Sequence, residues 1–140
     1  MTLDRVRTSA VCVVVFLSII LGTYSSAGGR DEPVLPMVAA AAVPLYPPFA
    51  RQTNTQGAIH VQVSTDGHKV TAAHAQEDLK PLSTEAEDNA KTWTFATHTP
   101  VTFTITYVYV LSERCRPNNP TVTLRLPTEV EVCQYPFHLY

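Results

Sequence analysis

Val101-Thr-Phe-Thr-Ile-Thr-Tyr-Val-Tyr-Val-Leu111 is the stretch that decides the fold. β-Branched and aromatic residues fill almost all of it, and such side chains suit the pleated surface of a sheet. The strict alternation between two sets of side chains predicts a long strand with two different faces. One face carries Val101, Phe103, Ile105, Tyr107, Tyr109 and Leu111, and the other carries Thr102, Thr104, Thr106, Val108 and Val110.

A β-hairpin is predicted upstream of this strand. Residues 57–63 alternate between apolar side chains and small or polar ones, which is typical of a half-buried strand. Asp66-Gly67 then supplies a turn signal, because Asp-Gly readily adopts the backbone angles of a tight hairpin turn. The second strand is expected at about 69–75.

Two helices are predicted around this hairpin. Pro47 and Pro48 suit the entry and first turn of a short helix that ends near Asn54. A second helix is expected to begin with Ser83 or Thr84 as its cap, and the spacing of Thr84 and Glu87 is that of a capping box. Its apolar residues recur at helical spacing and form one stripe: Leu82, Ala86, Ala90 and Trp93.

The C-terminal segment is predicted to extend the sheet. After a polar turn at 114–120, residues 121–132 alternate again, with Pro127 as an interruption. Since proline cannot donate a ladder hydrogen bond, this is either an edge strand or two short strands. The predicted fold class is α+β: a small antiparallel sheet of three or more strands, with two helices packed on one face and a C-terminal strand extension.

The N-terminus has the features of a targeting segment. Arg5 and Arg7 precede an uncharged apolar run of about a dozen residues, which suits a signal peptide better than a membrane span. Cleavage is expected before Gly28, and an uncleaved anchor at residues 10–24 is the alternative. The expected organisation is a signal peptide or anchor at 1–27, a linker at 28–43, a domain at 44–111 and an extension at 112–140.

The cysteine pattern points to an oxidising compartment, which means a periplasmic or secreted protein. Cys12 lies in the targeting segment, so Cys115 and Cys133 remain as a pair in a small exported domain. A disulfide between them is the favoured interpretation, and two unrelated thiols are the alternative. The bridge would close a loop of roughly 18 residues.

No catalytic or metal-binding pattern is visible in the sequence. The net charge of -2 and the scattered basic residues argue against nucleic acid as a partner. The five histidines show no ligand spacing, and no Gly-x-Ser-x-Gly or phosphate loop occurs. The acidic cluster Glu85, Glu87 and Asp88 suits the start of a helix, where the dipole favours negative charge. We therefore expect a protein that is not an enzyme and that holds no metal or cofactor.

Four motifs in order resemble the C-terminal domain of the TonB family. Tyr46-Pro-Pro-Phe-Ala-Arg51 is similar to the entry segment of that domain. Gly57-Ala-Ile-His-Val-Gln-Val63 with Thr65-Asp-Gly67 is similar to its first hairpin. The helix that ends in Trp93-Thr-Phe95 is similar to its second helix, and the strand at 101–111 takes the place of its third strand. The apolar segment has Ser18 but lacks the histidine that couples the family's transducers to a motor.

The resemblance implies a periplasmic module that binds an extended segment of an outer-membrane transporter. Such a segment would pair with an exposed sheet edge. A stand-alone secreted domain that self-associates, as a homodimer, is the alternative function, and membrane contact is expected only through an uncleaved N-terminus. The candidate edge is the third strand from Thr102 to Val110, but it can also be sheet interior or be covered by the C-terminal strand. The residues expected to bind the partner are Thr102, Thr104, Thr106, Tyr107, Val108, Tyr109 and Val110.

Overall fold

The computed structural model describes residues 32–138. The predicted signal peptide or anchor and the first residues of the predicted linker lie outside the described part. The elements run in the order β1 (Val38–Ala40), α1 (Pro48–Gln52), β2 (Gly57–Thr65), β3 (Val70–Ala75), α2 (Leu82–Lys91), β4 (Thr94–Phe95), β5 (Thr102–Leu111), β6 (Thr121–Arg125) and β7 (Glu129–Gln134).

The fold is α+β, and its main sheet has five strands in the order β3-β2-β5-β7-β6. Neighbouring strands are antiparallel at β3–β2, β2–β5 and β7–β6, whereas β5 and β7 run parallel. The predicted purely antiparallel sheet is therefore wrong at one position. β1 and β4 form a separate two-stranded antiparallel sheet.

The core lies on one face of the main sheet. Alternate residues of β2, β5 and β7 point into it, as their period-two patterns require. Both helices contribute buried residues to the same core, and the predicted apolar stripe of α2 is confirmed. The fully buried members, each at most 1% exposed, are Ala50, Ile59, Val61, Val63, Leu82, Ala86, Ala90, Trp93, Phe95, Ile105, Tyr107, Tyr109, Val130 and Val132.

The hairpin between β2 and β3 turns at the predicted Asp-Gly pair. The Asp66 carboxylate accepts hydrogen bonds from the backbone N–H groups of His68 and Lys69. These two bonds hold the pKa of Asp66 below its usual value, because they favour the charged carboxylate. Gly67 has φ +100, and a Cβ at this position would lie 2.5 Å from the His98 carbonyl oxygen. Only glycine fits this turn without strain.

Helix α2 does not begin with the predicted capping box. It starts at Leu82, and the N-cap residue Pro81 makes no side-chain hydrogen bond to it. The Glu87 carboxylate instead accepts a bond of 2.7 Å from the backbone N–H of Ala75, in β3. The Glu85 carboxylate accepts one of 3.0 Å from the N–H of Leu45. These acidic side chains tie α2 to neighbouring segments of the chain.

The segment expected to be a linker is partly structured. β1 pairs with β4, and Pro36 and Pro44 are buried. Further along, the Ala42 N–H donates to the Thr92 hydroxyl, and the Asn89 side chain donates to the Ala42 carbonyl. The described part of the linker, 32–43, therefore runs along the domain and is bonded to it.

The C-terminal extension is an integral part of the sheet. Two short strands form on either side of Pro127, as one of the two alternatives predicted. Val130 and Val132 of β7 are 0% exposed and belong to the core. The predicted domain at 44–111 and the predicted extension at 112–140 therefore contribute strands to one sheet.

Cys115 and Cys133 form a disulfide, with their Cα atoms 5.6 Å apart. The bridge ties the start of the loop after β5 to strand β7, because Cys133 lies opposite Val110 in the sheet. Such a bridge is typical of proteins outside the reducing cytoplasm. Within residues 32–138, no helix is both long and apolar enough to cross a bilayer.

Removing the disulfide should destabilise the domain. The double variant Cys115→Ser with Cys133→Ser should lose about 3 kcal/mol of unfolding free energy, because an 18-residue separation is no longer closed in the unfolded chain. Urea denaturation with and without reductant measures this. Equal urea midpoints for the oxidised and reduced wild-type protein would contradict the prediction, as would an intact mass that gains no hydrogen atoms on reduction.

Candidate partner-binding edge

The residues expected to bind a partner lie in β5, which is the central strand of the sheet. On one side β2 pairs with it from Thr102 to Tyr109. On the other side β7 pairs with it, in parallel, from Thr106 to Leu111. The predicted residues therefore do not form an open edge, and the alternative of a covering C-terminal strand is the one observed. Only Thr102 to Ile105 lie before the start of the β7 pairing.

Tyr107 points into the core and joins a buried hydrogen-bond cluster. The side-chain oxygen Oδ1 of Asn89 accepts from the Tyr107 hydroxyl at 2.9 Å and from the Trp93 ring N–H at 3.1 Å. Because the Asn89 amide also donates to Ala42, one side chain links helix, strand and N-terminal segment. Burial raises the pKa of Tyr107, so its hydroxyl stays protonated and serves as a donor.

Tyr109 also points into the core, but its hydroxyl is unsatisfied. The hydroxyl oxygen is buried and has no hydrogen-bond partner among residues 32–138. Its ring packs edge-on against the ring of Tyr46, with centroids 5.5 Å apart. Burial raises the pKa of Tyr109, and the nearby Glu85 carboxylate adds to the effect. Tyr107 and Tyr109 are thus core residues, which removes them from the set available to a partner.

The threonines of β5 lie on the opposite face of the sheet. Thr104 and Thr106 are half-buried, and Thr102 is exposed. Across the neighbouring strands, Thr106 aligns with His60 on one side and Glu129 on the other. This face presents the threonine hydroxyls. The backbone of β5 pairs with strands on both sides from Thr106 to Tyr109.

β3 forms one edge of the sheet and is partly closed. The N–H of Gln76 points inward and donates to the His60 carbonyl oxygen of β2, so the N–H of the neighbouring Ala75 points outward. The Glu87 carboxylate accepts a hydrogen bond from this outward N–H. A register irregularity at Ser64 and Thr65 also interrupts the β2–β3 ladder near the turn. Side chains that occupy edge donors and irregular registers both hinder the addition of another strand.

β6 forms the other edge, and its outer side has no strand beside it within residues 32–138. We call this outer side of Thr121–Arg125 the β6 edge. The strand contains no lysine, proline or glycine, and Thr121, Val122 and Thr123 are β-branched. Leu124 and the following Leu126 are 41% and 47% exposed. This edge was not among the predicted binding residues, although the alternation at 121–126 and the interruption at Pro127 indicate a short strand here.

Within residues 32–138, no group of three or more potential ligands could hold a metal ion. His60 and Glu77 form a titratable pair, and their Nδ1 and Oε1 atoms lie 2.5 Å apart. Burial would raise the pKa of Glu77, but hydrogen bonds from the His60 ring and backbone outweigh it and lower that pKa. The pair is partly exposed and links β2 to the turn after β3.

A pocket of about 360 Å³ lies between residues 34–37 and the loop at 96–99. His98 is its one titratable side chain, and its Nδ1 atom contacts the Thr99 carbonyl oxygen at 2.7 Å. Val34 and Met37 form part of the wall and are themselves largely exposed. The polar part of its lining consists of His98 and the two threonines beside it, Thr97 and Thr99.

The two core tyrosines should respond oppositely to removal of their hydroxyls. Tyr107→Phe should lower the unfolding free energy by about 1–2 kcal/mol, because Asn89 loses a buried donor. Tyr109→Phe should leave stability unchanged or raise it by about 1 kcal/mol, because it removes a buried hydroxyl without a partner. Paired denaturation curves measure both effects. A loss of similar size for the two variants would show that the Tyr109 hydroxyl is satisfied in solution.

The domain should lose stability in alkaline solution. Burial raises the pKa of Tyr46 from 10.0 to about 12, so the fold favours the protonated phenol. The resulting contribution to the unfolding free energy is complete below about pH 10 and is lost as the pH rises towards the pKa of Tyr46 in the folded protein. Unfolding midpoints between neutral pH and pH 12 should fall over that window, and Tyr46→Phe should flatten the fall. A Tyr46→Phe profile parallel to that of the wild-type protein would contradict this assignment.

Comparison of the chain with protein-family models, with curated proteins and with solved structures finds no match. The resemblance to the TonB family therefore stands on the motifs quoted above. The fold and the edges of the sheet are observations on this structure alone.

Proposed function

We propose that this domain is a protein-binding module that takes up an extended partner segment by strand addition at the β6 edge. The observation that carries the proposal is the outer side of β6, which no strand covers within residues 32–138, whereas a carboxylate of α2 partly closes the other edge at β3. Backbone N–H and C=O groups on such a side are a ready template for another strand. Main-chain hydrogen bonds then give affinity, and side chains at alternate positions give selectivity.

The side chains of β6 define what the partner segment should look like. Val122 and Leu124 lie on the core side of the sheet, opposite Val132 and Val130 of β7. Leu124 remains partly exposed there, so an apolar partner side chain would gain buried area beside it. Arg125 lies on the other face, where an acidic partner residue would be favoured. The matching segment alternates apolar and polar residues.

The β6 edge is held in place before any partner arrives. Strand β7 pairs with β6 throughout Thr121 to Arg125, and the disulfide fixes β7 at Cys133. The Arg125 guanidinium forms an ion pair with the Glu129 carboxylate next to the turn. Since binding does not have to order these residues, less conformational entropy is lost on association.

The resemblance to the TonB family supplies the nature of the partner. It supports a role in transport in which the partner is an extended periplasmic segment of an outer-membrane transporter. The disulfide agrees with an oxidising compartment such as the periplasm. β7 covers most of the edge that the resemblance assigns to the partner, so binding there would require β7 to leave the sheet. Binding at the β6 edge requires no such displacement.

Peptide titration followed by backbone NMR tests the proposal. Synthetic peptides from the extended periplasmic segments of outer-membrane transporters should shift the amides of β6 and slow their hydrogen exchange. The same peptides carrying proline at alternate positions should not bind, because they lack the N–H donors that strand pairing needs. Shifts confined to any other element would contradict the β6 edge as the site, and an absence of shifts with all peptides would contradict the proposed function.

A matched pair of variants separates the edge from general surface effects. Leu124→Asp introduces a charge beside the incoming strand and should weaken peptide binding about tenfold. Leu45→Asp makes the same change at another exposed leucine, near α1, and should leave binding unchanged. Equal effects of the two variants would count against strand addition at β6.

A further inference from the structure

We infer that the β6 edge pairs with the β6 edge of a second copy of this chain, in antiparallel register about a two-fold axis at Thr123. The inference rests on the proposed function, since it uses the same open edge, and it names the occupant that fills this edge when no partner segment is bound. The product is a dimer with one continuous ten-stranded sheet, twice the five strands of one copy.

The sequence of β6 is self-complementary in this register. Thr123 faces its own copy on the axis, as two-fold symmetry requires. Val122 faces Leu124 of the second copy, and Thr121 faces its Arg125. Each cross-strand pair thus joins two hydroxyls, two apolar side chains, or a hydroxyl and a guanidinium, and no like charges meet.

Charge also selects the antiparallel arrangement over the parallel one. An in-register parallel pair would place Arg125 directly beside Arg125 of the second copy, and like charges at that spacing are unfavourable. In the antiparallel register the two arginines lie about 14 Å apart along the strands, from four residue steps of about 3.4 Å. That distance exceeds the Debye length of about 8 Å at physiological salt. Each arginine is also partly neutralised by Glu129 of its own chain.

Apolar area on the core side favours the same pairing. Leu124 is 41% exposed, although its cross-strand neighbour Val130 is 0% exposed. The core-facing side chains are therefore less buried on β6, the last strand of the sheet, than on β7. In the dimer, Val122 and Leu124 of both copies form a small apolar cluster beneath the junction, which continues the core across the axis.

The length of β6 limits the strength of this contact. The strand has five residues, and Pro120 and Pro127 lie just beyond its two ends. Proline lacks the N–H donor of a ladder, so pairing cannot extend past them. The interface is correspondingly small, and a small interface of this kind gives a weak, reversible dimer.

Charges introduced at the two-fold axis test the inference. Thr123→Glu should weaken self-association at least about fivefold, because two carboxylates then face each other, and Thr123→Lys should do the same with two ammonium groups. An equimolar mixture of the two variants should associate at least as strongly as the wild-type protein. Sedimentation equilibrium over a wide concentration range, on protein produced from the full chain, measures all three. Circular dichroism verifies that each variant is folded.

The control is Gln62→Glu, an exposed position on the same face of the interior strand β2, which should not change association. Association that is unaffected by both Thr123 variants, or a mixture no stronger than either variant alone, would overturn the inference. A wild-type protein that stays monomeric while transporter peptides still shift the β6 amides would overturn it too and leave the proposed function standing. Dimerisation through β6 without binding of any peptide would support the inference and refute the proposed function.

Discussion

The burial of one face of β5 is the constraint on which the rest of the structure depends. Four consecutive inward positions of this strand, from Phe103 to Tyr109, fill the middle of the core. Because their neighbours on β2 and β7 also point inward, both flanking strands must keep a fixed register with β5. A slip of one residue would expose the tyrosines and bury the threonines. Helix α2 then covers this face and is linked to it by Asn89, which bonds to Tyr107.

Local patterns in the sequence were sufficient for the elements that carry their own signal. The period-two alternation of β2 and β5, the Asp66-Gly67 turn and the apolar stripe of α2 each depend on residues close together in the chain. The predicted start of α2 was wrong because the Glu87 carboxylate accepts a bond from the Ala75 N–H of β3 and does not cap the helix. The local Thr84–Glu87 spacing contains no information on that distant strand. Strand β1 was not predicted because its alanine-rich sequence shows no alternation of apolar and polar residues. It is a strand because it pairs with β4.

The candidate site could not be derived from the sequence, because openness of an edge is a property of pairing between distant segments. The alternation in β5 indicates a strand, but it contains no information on how many neighbours that strand has. A parallel partner such as β7 must arrive through a long connection, here the loop and β6 hairpin, so local turn chemistry does not predict it. By contrast, Pro127 did mark the two short strands, and the hairpin they form is what brings β6 to the margin of the sheet.

The two margins of the sheet are protected in different ways, and this difference bears on function. At β3 the margin is partly closed, since a carboxylate from α2 holds one outward donor. At β6 no strand covers the backbone within the described residues 32–138, but prolines at both ends restrict the pairing length to about five residues. Long open edges promote uncontrolled assembly, whereas a short bounded one supports only a single weak strand addition. An edge of this kind allows partners to exchange, which is the property that a reversible protein-binding module requires.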